Sequence, residues 1–309
     1  NAAVLARPFV AGLFVWTGFD YRGEPTPYEW PSVSSHFGIM DTCGFPKDVY
    51  YLYRAYWTEE PRIHVLPHWN HRLGAEVKVM AYSNCGEAEL FINGRSQGRQ
   101  KGRMALQYTW RVRFELGELK AVGYRDGRPV AEDAVCTAGP AARLRLETPV
   151  PYLYRDTDSL AVVNLSCEDK NGVFCPKETA LLRVDVKGGR LLGVGNGDPN
   201  SHDLDSDPCV RLFNGRAQAL VAAQGDVSEV LITVSCKRFG EACAALPVRE
   251  RPFPGDVPKA EMQVLSGWHV SSAAQTKKPS IDVTIGQNDI RSMEPVNFTG
   301  TGQAVFIDR

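Results

Sequence analysis

The sequence lacks an excess of charge of either sign, since 35 lysines and arginines face 36 aspartates and glutamates in 309 residues. A basic surface that would attract nucleic acid or an anionic membrane is therefore not expected. A long hydrophobic run is also missing, because the longest one, Phe9 to Trp16, is about half of the ~20 residues that a membrane-spanning helix needs. The first residues do not form the basic and then apolar pattern of a signal peptide. We predict neither nucleic acid nor a membrane as a partner.

Paired cysteine motifs are absent as well. The eight cysteines are widely spaced, without a C-x-x-C pair and without histidines at the spacing of a tetrahedral zinc site. We predict free thiols rather than a disulfide framework, which favours the cytoplasm, while a secreted or periplasmic location stays open. Two N-x-S/T sequons, at Asn164 and Asn297, would matter only in a secreted eukaryotic protein.

Three short motifs suggest ligands but do not meet the requirements of the corresponding sites. GVGNGD at 193–198 is not followed by a helix that could face a phosphate, so we interpret it as a sandwich turn. DLDSD at 203–207 lacks the Gly and the bidentate Glu that an EF-hand loop requires. His64, His68 and His71 have no further ligand at metal spacing and are interpreted as packing residues. We therefore predict no metal and no cofactor.

Residues 9 to 57 are predicted to form one β-loop-α unit. The apolar run from Phe9 to Trp16 indicates a strand buried on both faces, as in a parallel sheet, and a Pro- and Gly-rich loop follows to about Pro46. DVYYLYRAYW then has apolar residues at helical spacing, with Asp48 placed to cap the helix. A single strand of this kind cannot bury itself, so the unit needs further strands.

After residue 57, short alternating strands separated by Asn-Gly and Asp-Gly pairs indicate two β-sandwiches of the immunoglobulin type. We assign the first to residues 58–139 and the second to residues 140–248. Residues 249–309 begin with a Pro-rich linker and continue as a partial C-terminal β domain or an arm, two interpretations that stay open. The predicted fold class is mainly β.

The segment FVWTGFDYRGEPTPYEW, residues 14 to 30, concentrates side chains that bind sugars. If its strand belongs to a (β/α) barrel, Trp16 lies at the C-terminal end of the strand, where barrel active sites are built. An indole offers a flat apolar surface to the C–H face of a sugar, and Asp20, Tyr21, Arg22 and Glu24 can hydrogen-bond hydroxyls. The alternative is that the charged residues pair with each other and close the barrel end. That alternative is favoured for each charged residue, whereas Trp16 is favoured as a sugar contact.

PFVAGLFVWTGFDYRGEPTPYEW and the residues after it, as far as Trp57, resemble the last strand, loop and helix of the catalytic barrel in bacterial β-galactosidases of glycoside hydrolase family 2. IHVLPHWN and AYSNCGEAELFINGRSQG resemble the immunoglobulin-like domain that follows the barrel, and LLGVGNGDPNSHD resembles the next one. The resemblance covers roughly residues 8 to 245. It implies the end of a (β/α)8 barrel, here residues 1–57, followed by two sandwiches.

The resemblance also implies an activity for a parent enzyme. Family members are retaining exo-glycosidases, in which one glutamate protonates the leaving oxygen and a second, ~5 Å away, attacks the anomeric carbon. Both family glutamates precede the matching segment, so we assign no catalytic residue. We expect this chain, as a C-terminal fragment, to be inactive by itself.

Site residues follow in part from the same resemblance. Trp16 matches the aromatic residue that lines the subsite for the non-reducing sugar, and the Trp16–Thr17 bond is the candidate for the non-proline cis peptide of the family. Asp20, Tyr21 and Glu24 complete the predicted substrate-binding set because their side chains can hydrogen-bond hydroxyls, not because of the resemblance.

The expected ligand is a β-galactoside or an oligosaccharide, and a homo-oligomer stays open. Two other functions also stay open: a non-catalytic carbohydrate-binding or scaffolding module, and another activity of the family, such as β-glucuronidase or β-mannosidase. Tyr108, Trp110 and Phe114 alternate with polar residues, as core positions do, which argues against a row of aromatic residues facing solvent.

Overall fold

The computed structural model describes residues 4, 6–102, 106–155 and 159–251, together with the backbone of 269–270, 294–295 and 306–307. The chain divides into two compact units, residues 1–251 and residues 252–309. The first unit contains one helix and sixteen strands among its described residues, which confirms the mainly β fold class.

The apolar run at the start of the first unit is not a strand. Every residue from Phe9 to Trp16 has irregular backbone, and most of the side chains, including Phe9 and Phe14, are exposed. The prediction of a strand buried on both faces is therefore wrong for this structure. A buried parallel strand needs hydrogen-bonded neighbours, and no strand lies beside this run in the part of the chain that the structure describes.

Helix α1, Asp48–Trp57, occupies the predicted position. The predicted cap is wrong, because Lys47 is the N-cap residue and makes no side-chain cap bond, whereas Asp48 lies in the first turn. The carboxylate of Asp48 lies 3.6 Å from Nε2 of His64, and the ring of Tyr51 stacks on the same imidazole. Burial alone would lower the pKa of His64, but hydrogen bonds to Asp133 and Asp48 raise it above its ordinary value. His64 thus joins the helix to the first sandwich.

The first sandwich pairs a three-stranded sheet, in the order β1-β2-β5, with a four-stranded sheet, in the order β4-β3-β6-β7. All neighbours are antiparallel. Inward-facing residues alternate along the strands and meet in a core that includes Trp69, Tyr108 and Phe114. The strands are β1 Ile63–Leu66, β2 Glu76–Ser83, β3 Glu87–Ile92, β4 Arg95–Lys101, β5 Gln107–Arg113, β6 Glu118–Arg125 and β7 Arg128–Cys136.

The second sandwich pairs a four-stranded sheet, in the order β12-β14-β10-β8, with a five-stranded sheet, in the order β13-β11-β15-β16-β9. Leu165, Leu182 and Ile232 are among the fully buried side chains between the two sheets. The strands are β8 Ala141–Glu147, β9 Leu153–Tyr154, β10 Leu160–Asp169, β11 Leu181–Lys187, β12 Gly189–Gly195, β13 Cys209–Arg211, β14 Arg216–Ala223, β15 Glu229–Cys236 and β16 Gly240–Arg249.

The second unit contributes three two-residue strands, which pair in the order β18-β17-β19: β17 His269–Val270, β18 Glu294–Pro295 and β19 Phe306–Ile307. The prediction of a linker and a partial C-terminal β domain over residues 249–309 otherwise falls outside the described residues. All eight cysteines are free thiols. Among the described residues, no helix is both long and apolar enough to cross a bilayer.

Candidate functional site: the Trp16 loop

Trp16 opens a loop, residues 16–47, that we call the Trp16 loop. Its indole is 75% exposed, and Nε1 donates a hydrogen bond of 3.1 Å to the hydroxyl of Tyr21. The two rings meet edge to face, with centroids 6.2 Å apart. The polar edge of the indole is therefore held by protein while most of its surface stays open to a ligand.

Tyr21 connects Trp16 to Glu24. Its hydroxyl donates to Oε2 of Glu24, and this hydrogen bond is the main reason why the pKa of Tyr21 lies above its ordinary value. The ring also packs edge to face on Phe37, while the backbone N–H of Tyr21 donates to Oγ of Ser35. Trp16, Tyr21 and Glu24, three of the predicted site residues, thus form one hydrogen-bonded chain.

Asp20, the fourth predicted residue, lies beneath this chain and is only 8% exposed. Its Oδ1 accepts hydrogen bonds from the backbone N–H of Gly38 (2.8 Å) and from Oγ of Ser35 (3.1 Å), and its Oδ2 pairs with Nζ of Lys47. Since both oxygens are engaged, the carboxylate ties the two ends of the loop together. A direct contact between Asp20 and a substrate stays a prediction.

The alternative interpretation supposed that Asp20, Arg22 and Glu24 pair with one another, and none of these three pairs with another of them. Asp20 pairs with Lys47, Glu24 bonds Tyr21, and Arg22 forms an ion pair of 2.8 Å with Asp205 of the second sandwich. Of these three residues, only Glu24 is linked to the exposed indole, because Trp16 and Glu24 both bond the hydroxyl of Tyr21.

Gly38 permits the tight approach at the base of the loop. The N–H of Asp20 donates to the carbonyl of Met40, and a Cβ on Gly38 would lie 2.3 Å from that nitrogen and 2.7 Å from that oxygen. Any larger residue at position 38 would push the two backbone segments apart. The Trp16–Thr17 peptide bond is cis, which confirms the prediction made for it.

The far side of the Trp16 loop packs against the second sandwich. Thr42 Oγ1 donates to the carbonyl of Asn196 (3.0 Å), and the carbonyl of Cys43 accepts from Nε2 of Gln218 (3.0 Å). Residues 30–33 make three further contacts. The N–H of Val33 donates a hydrogen bond to the carbonyl of Pro199. The ring of His202 hydrogen-bonds the carbonyl of Pro31 and packs on the ring of Trp30. We call this set of contacts, with the Arg22–Asp205 pair, the loop junction.

Sequence reasoning did not find the junction residues of the second sandwich. Asn196 and Asp205 belong to the two motifs that were set aside as a turn and as an incomplete calcium loop, so the structure gives both motifs a supporting role. Pro199 and His202 lie between the motifs, and Gln218 lies on strand β14. The concentration of Gly, Asn and Asp at 193–207 was the available signal, and it indicates irregular backbone without indicating what that backbone contacts.

A cleft of about 430 Å³ runs between the Trp16 loop and strands β12 and β14. Tyr21 and Arg22 line it from the loop, and Leu192, Gln218 and Leu220 line it from the sheet. Its volume is within the range of ligand-binding clefts. Tyr21 therefore contacts both the exposed indole of Trp16 and a space that the second sandwich helps to enclose.

Neither the Cys43 thiol nor the His68–His71 pair is suited to catalytic chemistry. Burial raises the pKa of the Cys43 thiol to about 12, so the thiol stays protonated and is a poor nucleophile. His68 and His71 stack on each other with centroids 4.9 Å apart, as expected of packing residues. Within the described residues, no group of three or more His, Cys, Asp or Glu side chains is arranged to hold a metal ion.

Comparison with known proteins decides the family. Residues 144–244 match the model of glycoside hydrolase family 2 C-terminal domain 5, and residues 74–131 match a domain of unknown function, DUF4982. The chain belongs to glycoside hydrolase family 2. The family resemblance that the sequence carries is thereby confirmed.

Two curated relatives share most of this family 2 chain. A protein from Bacteroides ovatus named beta-galactosidase BoGH2A is 40% identical over 245 residues, which is 78% of this chain and 29% of that protein. A putative beta-glucuronidase from Formosa agariphila is 33% identical over 243 residues, 74% of this chain and 23% of that protein. The chain thus spans less than a third of the length of either relative.

Among solved structures, a beta-glycosidase from Bacteroides vulgatus is similar to the family 2 chain, with a TM-score of 0.76 and 33% identity. The similarity covers 80% of this chain and 32% of that one. Most of this chain therefore has the fold of part of a solved glycosidase.

Proposed function

We propose that this chain forms part of a retaining exo-β-galactosidase and supplies one wall of its sugar site, the wall that carries Trp16. The proposal rests on family membership, on the 40% identical relative named as a β-galactosidase, and on the geometry of the Trp16 loop. The family's two-step hydrolysis requires two glutamates, to which no residue of this chain corresponds, so the 309-residue chain by itself is proposed to be inactive.

One observation carries the proposal. The indole of Trp16 is exposed, yet its N–H is already bonded to Tyr21, which is bonded in turn to Glu24. Such an indole cannot move freely to bury itself, and it presents an apolar surface beside an acidic and a phenolic oxygen. A sugar ring has the complementary character, with one apolar C–H face and a rim of hydroxyls.

A second candidate is a β-glucuronidase, which the relative from Formosa agariphila favours. The two activities differ at C6 of the sugar, where a glucuronide carries a carboxylate. The exposed carboxylate of Glu24 would repel that group if C6 approached it, and we therefore rank the galactoside first.

The activity test uses the natural polypeptide in which these residues occur, assayed on the 4-nitrophenyl β-glycosides of galactose, glucuronic acid and mannose. We expect the galactoside to have the highest kcat/KM and the isolated 309-residue chain to show no turnover. Faster hydrolysis of the glucuronide would select the second candidate. Glycan binding without hydrolysis of any of the three would contradict both and support a non-catalytic module.

Replacement of the exposed indole tests the site itself. In the same polypeptide, Trp16→Ala is expected to lower kcat/KM on the preferred glycoside at least about tenfold, because the sugar loses its apolar platform. Trp57→Ala is the matched control, since Trp57 is also an exposed tryptophan but lies at the end of helix α1. Equal losses from the two changes would contradict the assignment of Trp16.

A further inference from the structure

The outer face of the β12-β14-β10-β8 sheet carries a compact polar cluster that adjoins the loop junction through Gln218 but contains none of the predicted substrate-binding residues. The antiparallel registers pair Ser166 with Arg145 on one side and with Arg216 on the other, so the three residues form a row across β8, β10 and β14. The neighbouring row on the same face, two residues further along each strand, consists of Glu147, Asn164 and Gln218.

The two arginines of the first row differ in what they contact. Arg145 has two anionic partners, because its guanidinium bonds Glu168 (2.8 Å) and Glu147. Arg143 adds a second charge to Glu168, and the pKa of that carboxyl is held below its ordinary value by hydrogen bonds from Arg145 and Arg143. This part of the face is therefore a closed ion-pair network.

Arg216 has no such partner. Among the residues that the structure describes, no hydrogen bond or ion pair reaches its guanidinium, which lies over the rings of Phe174 (5.0 Å to the centroid) and Phe45 (5.4 Å). Both rings hold the guanidinium in place without using its N–H groups. A guanidinium has five N–H donors in a planar fork that matches a carboxylate, so Arg216 retains the capacity to bind one.

The space next to Arg216 is large enough for a ligand. A cleft of about 370 Å³, which we call the Arg216 cleft, opens beside the guanidinium. Its walls combine charged, amide, hydroxyl and aromatic side chains, including Phe45, Asn164 and Ser166. Asn164 uses its Oδ1 to accept from Gln218, which leaves its side-chain N–H groups as donors.

Charge within the cluster favours an anion. The guanidiniums of Arg143, Arg145 and Arg216 carry three positive charges, and Glu147 and Glu168 carry two negative ones, which leaves one positive charge. That charge is located on Arg216, because the other four groups neutralise each other.

We propose that the Arg216 cleft is a second glycan-binding site, which takes a hexuronic acid residue of an oligosaccharide. The carboxylate would bind the guanidinium fork of Arg216, and ring hydroxyls would bond Asn164 and Ser166. The anion preference is independent of the proposed function, whereas the choice of a sugar acid over other carboxylates rests on it.

The test measures binding of methyl β-glucuronide to the 309-residue chain by calorimetry and by saturation-transfer NMR. Arg216→Gln is expected to weaken binding roughly tenfold or more, because a charge-assisted bidentate contact is lost. Arg216→Lys, which keeps the charge but not the fork, is expected to give an intermediate affinity.

The matched control is Arg190→Gln on strand β12 of the same sheet, because the exposed side chain of Arg190 lies outside the cluster. This variant is expected to bind methyl β-glucuronide with unchanged affinity. Thermal melting monitored by circular dichroism checks that every variant is folded.

Three comparisons can overturn the proposal. Methyl β-glucoside, which lacks the carboxylate, should bind at least tenfold more weakly than the glucuronide, and sodium acetate should also bind more weakly. Equal affinity for either probe contradicts a uronic acid site, as does tighter Arg216-dependent binding of an acidic peptide. Glucuronide binding that Trp16→Ala abolishes and Arg216→Gln does not would place the sugar in the Trp16 loop, which removes this site and leaves the proposed function standing.

Discussion

Asp20 stabilises the Trp16 loop through a carboxylate that is almost entirely buried. Its two oxygens satisfy a backbone N–H, a hydroxyl and an ammonium group that belong to residues 15 to 27 positions further along the chain. A buried charge of this kind is costly to disturb, because each partner that loses it also loses a hydrogen bond in a poorly hydrated place.

Asp20→Asn is expected to lower the free energy of unfolding of the first unit by about 1–3 kcal/mol. The amide keeps the size of the carboxylate but loses the charge that Lys47 requires, and one of its groups becomes a donor. Urea denaturation followed by tryptophan fluorescence measures the change. Glu29→Gln is the matched control, because Glu29 is an exposed acid of the same loop. An Asp20→Asn variant as stable as Glu29→Gln would show that the carboxylate is not needed to hold the loop.

For single residues, the sequence predicts which residue types lie in the candidate site better than it predicts what each side chain contacts. The aromatic and acidic composition of residues 14–30 predicts a sugar-binding segment, and the structure joins Trp16, Tyr21 and Glu24 in one hydrogen-bonded chain. Composition does not reveal that Asp20 points inward, because Lys47 and Gly38, which decide its direction, lie far from it in sequence.

Among the elements, the loop junction depends on a close contact between two turns. Gly197 follows strand β12, and a Cβ at this position would lie 1.9 Å from Oδ2 of Asp41. The carboxylate cannot simply swing away, because its Oδ1 accepts hydrogen bonds of 2.9 Å from the backbone N–H groups of Cys43 and Phe45. The backbone of Gly197 itself is in an ordinary region, so space rather than conformation requires the glycine.

Gly197→Ala is therefore expected to displace Asp41 and to destabilise the first unit by about 1–3 kcal/mol. Chemical denaturation measures the loss. Gly195→Ala serves as the control, since its Cβ would meet only Sγ of Cys43 at 3.5 Å, an ordinary contact. If the clash is the cause, Asp41→Ala combined with Gly197→Ala is no less stable than Asp41→Ala alone. Additive losses in that double variant would contradict the steric explanation.

Strand prediction succeeds where the pattern is local. Strands β2, β5, β10 and β14 alternate buried residues with less buried ones along most of their length, and the Asn93-Gly94 and Asp126-Gly127 turns have the positive φ angles that such hairpin turns require. Strand β4, RSQGRQK, has no apolar alternation because it is an edge strand whose side chains are mostly exposed, so the Asn93-Gly94 turn rather than a periodic pattern predicts it. For the run from Phe9 to Trp16, the composition predicts a buried strand that the structure does not contain, because a strand also needs hydrogen-bonded neighbours.

For the molecule as a whole, acid is expected to weaken the second sandwich. The pKa of Glu168 is lowered by hydrogen bonds from Arg145 and Arg143, and that of Asp169 by hydrogen bonds from the backbone N–H groups of Gly139, Val173 and Asn171. A carboxyl whose pKa is lower in the folded state stabilises that state above its unfolded pKa, about 4, and loses this effect as the pH falls through the folded pKa.

We therefore expect the free energy of unfolding to fall as the pH is lowered from about 5 toward 2, with Glu168→Gln reducing the slope. Burial raises the pKa of Asp41, which contributes in the opposite direction. Urea denaturation at a series of pH values supplies the measurement. Glu241→Gln, a change to an exposed acid on strand β16, provides the reference. Parallel pH profiles for the two variants would contradict a specific role of Glu168.

The loop junction also determines when the Trp16 loop can fold during translation. Its hydrogen-bonded partners lie 154 to 183 residues apart, so the Trp16 loop leaves the ribosome long before Asn196, Asp205 and Gln218 exist. At 5–20 residues per second this delay is roughly 8–37 s. The Trp16 loop can therefore take its final shape only after the second sandwich has been made, when translation of the first unit is nearly finished.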